Sequence, residues 1–149
     1  MKNKKIILLF CLILMLFFNI TARAEKIDYS SNIVKILENG KIISGEGDVQ
    51  ILVGENIFIN SEKFEYNKET GIYRIFNNVQ FKDKLNNIKA SGSEFVLSTI
   101  DDKILSKKKS KIIYNETYNI DLNNFEYDIN EQKISSDDFV KIKDNINNY

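Results

Sequence analysis

Apolar and polar residues alternate in short runs along most of the chain that follows residue 24. Representative runs are Val49, Ile51 and Val53, and then Val79 and Phe81. A period of two places every second side chain on the same face of an extended strand. No 11-residue window in this part keeps the i, i+3, i+4, i+7 spacing of an amphipathic helix as well. Further runs of the same kind are Phe64, Tyr66; Phe125, Tyr127, Ile129; and Val140, Ile142. The pattern predicts an all-β domain.

Turn-forming residues separate these runs. The segment 67–71 ends in Gly71, which can adopt the positive φ that closes a short hairpin between Tyr66 and Ile72. Gly45 and Gly47 stand directly before the Val49 strand, where they predict a bend or a β-bulge.

The strand pattern repeats along the chain. Phe64-Glu65-Tyr66-Asn67 recurs at 95–98 and again at 125–128, at lags of 31 and 30 residues. The strand before it, at 57–59, recurs at the same lags, at 88–90 and 118–120. A group of short strands cannot bury its apolar face alone, so we expect the repeats to stack around one continuous apolar interior. The end strands of such a stack present unpaired edges, to which another β-domain can add.

Two facing sheets need not close at both margins, and an open margin would form an apolar groove. The candidate lining residues share alternation parity within their strands and recur between repeats. They are Ile57, Ile59, Phe64, Tyr66, Phe81, Ile88, Phe95, Leu97, Ile120, Phe125 and Tyr127. The core of an ordinary β-sandwich would show the same pattern. The sequence therefore leaves a groove and a filled core as alternatives.

The first 24 residues have the pattern of a secretory signal peptide. Lys2, Lys4 and Lys5 precede an almost uninterrupted apolar run of 15 residues at 6–20, and Ala22-Arg23-Ala24 supplies small residues at a cleavage site. The run falls short of the roughly 20 residues that span a bilayer comfortably, which favours cleavage over an uncleaved anchor. We expect cleavage after Ala24 and one domain over 25–149.

Composition removes several classes of function. The sequence has no His and no Pro, and its single Cys lies in the apolar run of the leader. Zinc sites of the Cys/His type, Ser-His-Asp triads and disulfides are therefore unavailable to the mature domain, and we expect no enzyme, no cofactor and no metal. The leader holds four of the 21 basic residues and no acid, which leaves 17 basic against 21 acidic residues. A net charge of −4 argues against a nucleic-acid partner.

The densest basic run is Lys107-Lys108-Lys109 with Lys111. These side chains could meet lipid phosphates or an anionic membrane surface. A solvated loop is the more common role for such a run, and the acidic net charge favours it.

The residues at 45–51, Gly-Glu-Gly-Asp-Val-Gln-Ile, followed by those at 57–71, resemble the OstA-like repeat of the lipopolysaccharide transport proteins. That repeat combines a Gly-x-Val strand, a strand ending in a small residue, an apolar-x-Tyr-Asn strand and a turn. The resemblance extends over roughly 41–143. Asn77 stands where the family usually has Gly, and Asn tolerates left-handed backbone better than most residues.

The resemblance implies an elongated β-jellyroll, built from stacked repeats of about 30 residues and open along one side. It implies a periplasmic, lipopolysaccharide-binding component of the LptA type that shelters lipid A acyl chains between the inner and outer membranes. The implied partners are other OstA-like domains, joined edge to edge, and an outer-membrane translocon. The absence of a barrel favours the LptA-like case, while the turn at 66–71 is also similar to the N-terminal module of LptD. The alternative is a structural or adhesive β-repeat that binds proteins through its strand edges.

Overall fold

The computed structural model describes residues 26–144, and these form strands joined by turns. Every pairing is antiparallel. The strands are β1 (Ile27–Ser30), β2 (Ile33–Leu37), β3 (Ile42–Val53), β4 (Ile57–Asn67), β5 (Ile72–Asp83), β6 (Ile88–Ser98), β7 (Lys103–Ser106), β8 (Ser110–Tyr114), β9 (Tyr118–Leu122), β10 (Phe125–Asp128), β11 (Lys133–Ser135) and β12 (Val140–Asp144). One 3₁₀ turn, Glu38–Gly40, lies between β2 and β3. The predicted all-β class is confirmed.

Four strands are long enough for each to contribute to both halves of a folded sheet. β3, β4, β5 and β6 have 11 or 12 residues each. The pairing register breaks in the middle of β3, β4 and β5, and the two halves of β6 pair with different strands, β8 and β7. The breaks line up from strand to strand and form a fold line across the sheet.

The fold line divides the strands into two halves. Half-sheet A consists of β2, residues 42–46 of β3, 63–67 of β4, 72–76 of β5 and 94–98 of β6, and then β7, β10 and β11. Half-sheet B consists of β1, residues 49–53, 57–60, 79–83 and 88–92 of the same long strands, and then β8, β9 and β12. The halves face each other: the Phe81 ring of half-sheet B lies 5.4 Å from the Tyr127 ring of half-sheet A, centroid to centroid.

Local chemistry explains where the strands bend. Gly47 has φ +78°, which favours glycine, and Asn77 has φ 62° at the corresponding break in β5. At Gly45 a Cβ would lie 2.2 Å from Cε1 of Phe64, so a larger residue would displace a core ring. The bend predicted at Gly45 and Gly47 is confirmed, and Asn77 has the left-handed conformation that the family's glycine would adopt.

The hairpin predicted around Gly71 is also confirmed. β4 ends at Asn67 and β5 begins at Ile72, and Gly71 has φ +65°. The Asn67 side-chain oxygen accepts hydrogen bonds from the backbone N–H groups of Glu69 and Thr70, at 2.9 and 3.2 Å, which stabilises the turn.

Two sequence expectations need correction. The runs that we read as separate short strands join into the long bent strands, because the bulges let the chain change direction without leaving the sheet. Ile129 was grouped with Phe125 and Tyr127, but β10 ends at Asp128. The Ile129 N–H donates instead to the carbonyl of Asp102 in the neighbouring turn, at 2.9 Å.

Both ends of the stack expose strand edges. Within residues 26–144, β1 and β2 pair only with β3, β11 pairs only with β10, and β12 pairs only with β9. The predicted unpaired edges are therefore present in the described part of the chain.

Candidate functional site: the free margin between the half-sheets

The two margins between the half-sheets are built differently. Along the fold line the long strands run covalently from one half to the other. At the opposite margin the strands end in turns, and neighbouring turns of the same half hydrogen-bond to each other, as in Lys84 N–H to Asn56 carbonyl and Thr99 N–H to Gly71 carbonyl, both 3.0 Å. In residues 26–144 no strand of half-sheet A pairs with a strand of half-sheet B at this side. We call it the free margin.

Two facing rows of inward side chains border the free margin. In each row, successive residues stand directly opposite one another on neighbouring strands. The row of half-sheet A is Ile36, Ile43, Tyr66, Tyr73, Leu97, Ile104, Tyr127 and Ile134. The row of half-sheet B is Ile27, Val53, Ile57, Asp83, Ile88, Tyr114, Tyr118 and Asp144. We call these the margin rows, and they are apolar or aromatic at nearly every position.

All eleven predicted lining residues belong to the interior. Nine are buried, and Tyr66 and Ile120 are half-buried and packed against the same cluster. Five of the eleven lie in the margin rows: Ile57, Tyr66, Ile88, Leu97 and Tyr127. The other six lie deeper, towards the fold line. They contact one another; for example, the Phe95 and Phe125 rings meet edge to face at 5.2 Å. In this state the interior is filled by side chains.

Sequence reasoning missed several residues of the margin rows, including Val53, Tyr73 and Asp83. Tyr73 lies in Ile72-Tyr73-Arg74-Ile75-Phe76, where both alternation phases contain apolar residues, so parity could not assign its face. Asp83 did carry a signal, because it continues the parity of Val79 and Phe81. A carboxylate on the inner phase of a strand is unusual enough to mark a special position.

Tyrosines give the free margin an amphipathic character. The rings of Tyr66 and Tyr73 stack at 4.1 Å with an interplanar angle of 13°, and the Tyr29 ring meets Tyr73 edge-on at 6.4 Å. Burial, with a smaller contribution from Tyr66 and Tyr29, raises the pKa of the Tyr73 hydroxyl, which therefore stays neutral. Such rings offer apolar faces to the interior and hydroxyl groups to water or to polar partners.

Asp83 is the only acidic or basic residue that is buried within residues 26–144, with 2% of its surface exposed. Its Oδ1 accepts hydrogen bonds from the N–H groups of Leu85 and Asn86, at 2.9 and 3.1 Å. Its Oδ2 accepts from Asn86 Nδ2 at 2.7 Å and from the Tyr127 hydroxyl at 2.5 Å. Burial alone would raise the pKa of Asp83, but the hydrogen bonds from Tyr127, Asn86 and Leu85 outweigh it and lower that pKa below its usual value. The carboxylate is therefore ionised and fully satisfied.

The basic run lies away from the free margin. Lys107, Lys108 and Lys109 are exposed in the loop from β7, in half-sheet A, to β8, in half-sheet B, and this loop crosses at the fold line. Lys108 pairs with Glu94 at 2.5 Å. This position fits the solvated loop that the sequence favoured.

The described residues offer neither a metal site nor a membrane-spanning helix. In 26–144 no three His, Cys, Asp or Glu residues lie together in a way that could hold a metal ion. That same part of the chain contains no helix with the length and apolar character to cross a membrane. The predicted signal peptide falls outside the described residues.

Comparisons with known proteins give a clear likeness among solved structures. No family model matches the chain, and no curated protein sequence matches it. Among solved structures, the chain is similar to LptH, the LptA-homologous periplasmic component of the lipopolysaccharide transport device of Pseudomonas aeruginosa. The TM-score is 0.67 at 12% identity, and the match covers 81% of this chain and 96% of LptH. The chain therefore has the β-jellyroll fold of the LptA-type proteins, as the OstA-like resemblance implied.

Proposed function

We propose that this protein is a periplasmic component of lipopolysaccharide transport that shelters lipid A acyl chains between its two half-sheets. One observation carries the proposal: two largely apolar margin rows face each other at a margin that no strand pairing within residues 26–144 closes. The jellyroll fold shared with LptH and the signal-peptide pattern of residues 1–24 support it.

The physical basis is the hydrophobic effect. Each methylene moved from water into an apolar interior gains about 0.8 kcal/mol, so one acyl chain of about twelve carbons gains about 10 kcal/mol before any cost. The cost is the loss of contacts between the half-sheets, such as those of Tyr29 with Phe64, whose rings lie 5.1 Å apart. These contacts are apolar on both sides, and an acyl chain between the half-sheets would restore contacts of the same kind. Replacing contacts between the half-sheets by contacts with an acyl chain requires no catalyst.

The ends of the stack support assembly with related domains. Val34 and Ile36 lie on the inner side of β2, opposite Gly45 and Ile43, yet they are 51% and 69% exposed. At the other end Ile142 of β12, opposite the inner Ile120, is 62% exposed. Within the described strands the apolar interior is thus uncapped at both ends. Addition of another OstA-like domain at either edge would cover these residues and continue the apolar interior. The same proposal includes that this continued apolar interior leads towards an outer-membrane translocon.

Site-specific photo-crosslinking tests the proposal. A photoreactive residue at Phe64 or Leu97 should form adducts with lipopolysaccharide, because both side chains are buried between the half-sheets. Matched controls are the next residues on the same strands, Lys63 and Val96, which lie on the outer face. Adducts at the inner positions alone would support the proposal, and a folded domain that gives none there would contradict it.

The second candidate is a structural or adhesive domain that binds proteins through its edges. The side-chain packing of the interior favours this alternative, because a filled core needs no lipid. The same experiment separates the two candidates, since a permanently filled core gives no adduct at Phe64 or Leu97.

A further inference from the structure

The margin row of half-sheet B is interrupted by a single buried carboxylate. Asp83 stands between Ile57 and Ile88, opposite both on the neighbouring strands. Acyl chains gain nothing from a carboxylate, and an ion in contact with methylenes is strongly unfavourable. Asp83 is therefore a buried position along this row where the interior is unsuited to lipid.

Asp83 belongs to a hydrogen-bonded network that crosses the free margin. The Tyr127 hydroxyl, from β10 of half-sheet A, donates to Asp83 Oδ2 at 2.5 Å. Asn86 Nδ2, from the turn that follows Asp83, donates to the same oxygen at 2.7 Å and approaches the Tyr127 hydroxyl at 3.3 Å. Two residues of half-sheet B are thus bound to one residue of half-sheet A, 44 positions from Asp83 in sequence.

Nearer the first strand the half-sheets meet in another way. Tyr29 of half-sheet B contacts the Tyr73 ring of the margin row and the deeper Phe64 ring of half-sheet A. A lipid chain can replace such contacts with equivalent ones. It cannot replace a charge-assisted hydrogen bond, which is directional and roughly twice as strong as a neutral one.

We propose that Asp83, Asn86 and Tyr127 form a latch that holds the free margin shut in the unloaded protein and must open before an acyl chain passes. This inference rests on the proposed function and concerns the control of the same site. Asp83 and Asn86 can reach water when the latch opens, because Asp83 directly precedes an exposed turn and Asn86 lies in it. Leu85 of the same turn is 63% exposed. Tyr127 lies on a four-residue strand near the end of half-sheet A, paired only with β7 and β11. The latch therefore joins a turn to a short strand near the end of its half-sheet.

The test uses Tyr127→Phe in the full mature protein, with purified lipid A in detergent micelles as the probe. The substitution removes one hydroxyl and keeps the ring, and Asp83 retains its three hydrogen bonds from Leu85 and Asn86. We expect the rate of lipid A adduct formation at a photoreactive residue replacing Leu97 to rise at least fivefold. Asp83→Asn should also raise the rate of lipid A adduct formation. Glu126→Gln, on the outer face of β10 beside Tyr127, removes the charge of the ion pair with Lys103 at 2.7 Å and should leave the rate within twofold of the unmodified protein.

Amide hydrogen exchange in the absence of lipid gives a second readout. Tyr127→Phe should accelerate exchange in β10 and in the turn 84–87 by a larger factor than in β3 and β4, because the latch opens locally. A hydrogen bond that only stabilises the whole domain would instead accelerate exchange by the same factor in all of these strands. An unchanged loading rate in folded Tyr127→Phe, or equal acceleration by Glu126→Gln, would overturn the latch while leaving the proposed function intact. Absence of adducts in the unmodified protein would overturn both.

Discussion

Asp83 carries a charge in a part of the interior where its strand neighbours are apolar. Removing a carboxylate from water is costly unless hydrogen bonds replace those lost to the solvent. Four donated hydrogen bonds do so here, from Leu85, Asn86 and Tyr127. Hydrogen bonds to charged groups contribute about 1.5–3 kcal/mol each when their geometry is good. One residue thus couples the stability of the domain to the closure of its free margin.

The lowered pKa of Asp83 makes this coupling dependent on pH. A carboxyl group whose pKa is lower in the folded state stabilises the fold above its unfolded pKa of about 3.9, and this contribution is lost as the pH falls through the folded pKa. Asp83→Asn does not titrate, so it should be less stable than the unmodified domain at pH 7, by about 1–3 kcal/mol. The difference should shrink in acid.

Urea denaturation of both proteins from pH 7 down to pH 3 measures this difference in the free energy of unfolding. A gap between the two proteins that stays constant over the whole range would show that ionised Asp83 contributes nothing specific.

At the scale of elements, β2 is an edge strand with little protection. All five of its residues are exposed, and Lys35 is the only charged one. Natural edge strands are commonly blunted by charges, proline or bulges, because an unpaired edge invites addition of another strand. Lys35 forms an ion pair with Glu46 at 3.2 Å on the outer face, which leaves Val34 and Ile36 as an apolar inner side. The edge is therefore suited to another β-domain.

Ile36→Lys should weaken self-association or docking of a related domain at least tenfold, because it places a charge on the apolar inner side of this edge. It should change the free energy of unfolding by less than about 0.5 kcal/mol, as is usual for exposed positions. Sedimentation velocity over a concentration series measures the association. Ile100→Lys is the matched control, since Ile100 is equally exposed, at 71% against 69%, but lies in a turn. Equal effects of the two substitutions would contradict a specific role for the β2 edge.

Much of this element structure could be predicted from the sequence. Alternation gave the strand faces, so Phe64, Leu97 and Tyr127 were assigned correctly to the interior. Glycine chemistry located the bend near Gly47 and the turn at Gly71. Local patterns of this kind depend on neighbouring residues alone, and neighbouring residues are what a single sequence displays.

The remainder depends on contacts between distant residues. The bond from Tyr127 to Asp83 spans 44 positions, and no local pattern relates the two residues. The sequence also does not reveal that β3 continues through its bulge. Glycines such as Gly45 and Gly47 occur both within a bent strand and between two separate strands. Tyr73 was missed because both alternation phases of its strand contain apolar residues, so the alternation does not assign its side chain to one face.

On the scale of the whole molecule, one sheet folded on itself produces two unlike margins. The fold line is covalent and bears charges such as the exposed Lys108 and the half-buried Glu94. In the part of the chain that the structure describes, the free margin is held by side chains, among them the ring contact of Tyr29 with Tyr73 and the hydrogen bond from Tyr127 to Asp83. Opening at the free margin leaves every strand pairing within each half intact. The central claim is that acyl chains enter there and replace contacts between the half-sheets.

Nuclear Overhauser effects between lipid A methylenes and methyl groups of the protein test this claim most directly. We expect effects at the inner methyl groups of Ile59 and Leu97, one in each half-sheet, and none at the outer methyl groups of Leu52 and Val96. Effects confined to Leu52 and Val96, with the contacts of Ile59 inside the protein unchanged by lipid, would contradict it and leave a filled core that binds partners through its edges.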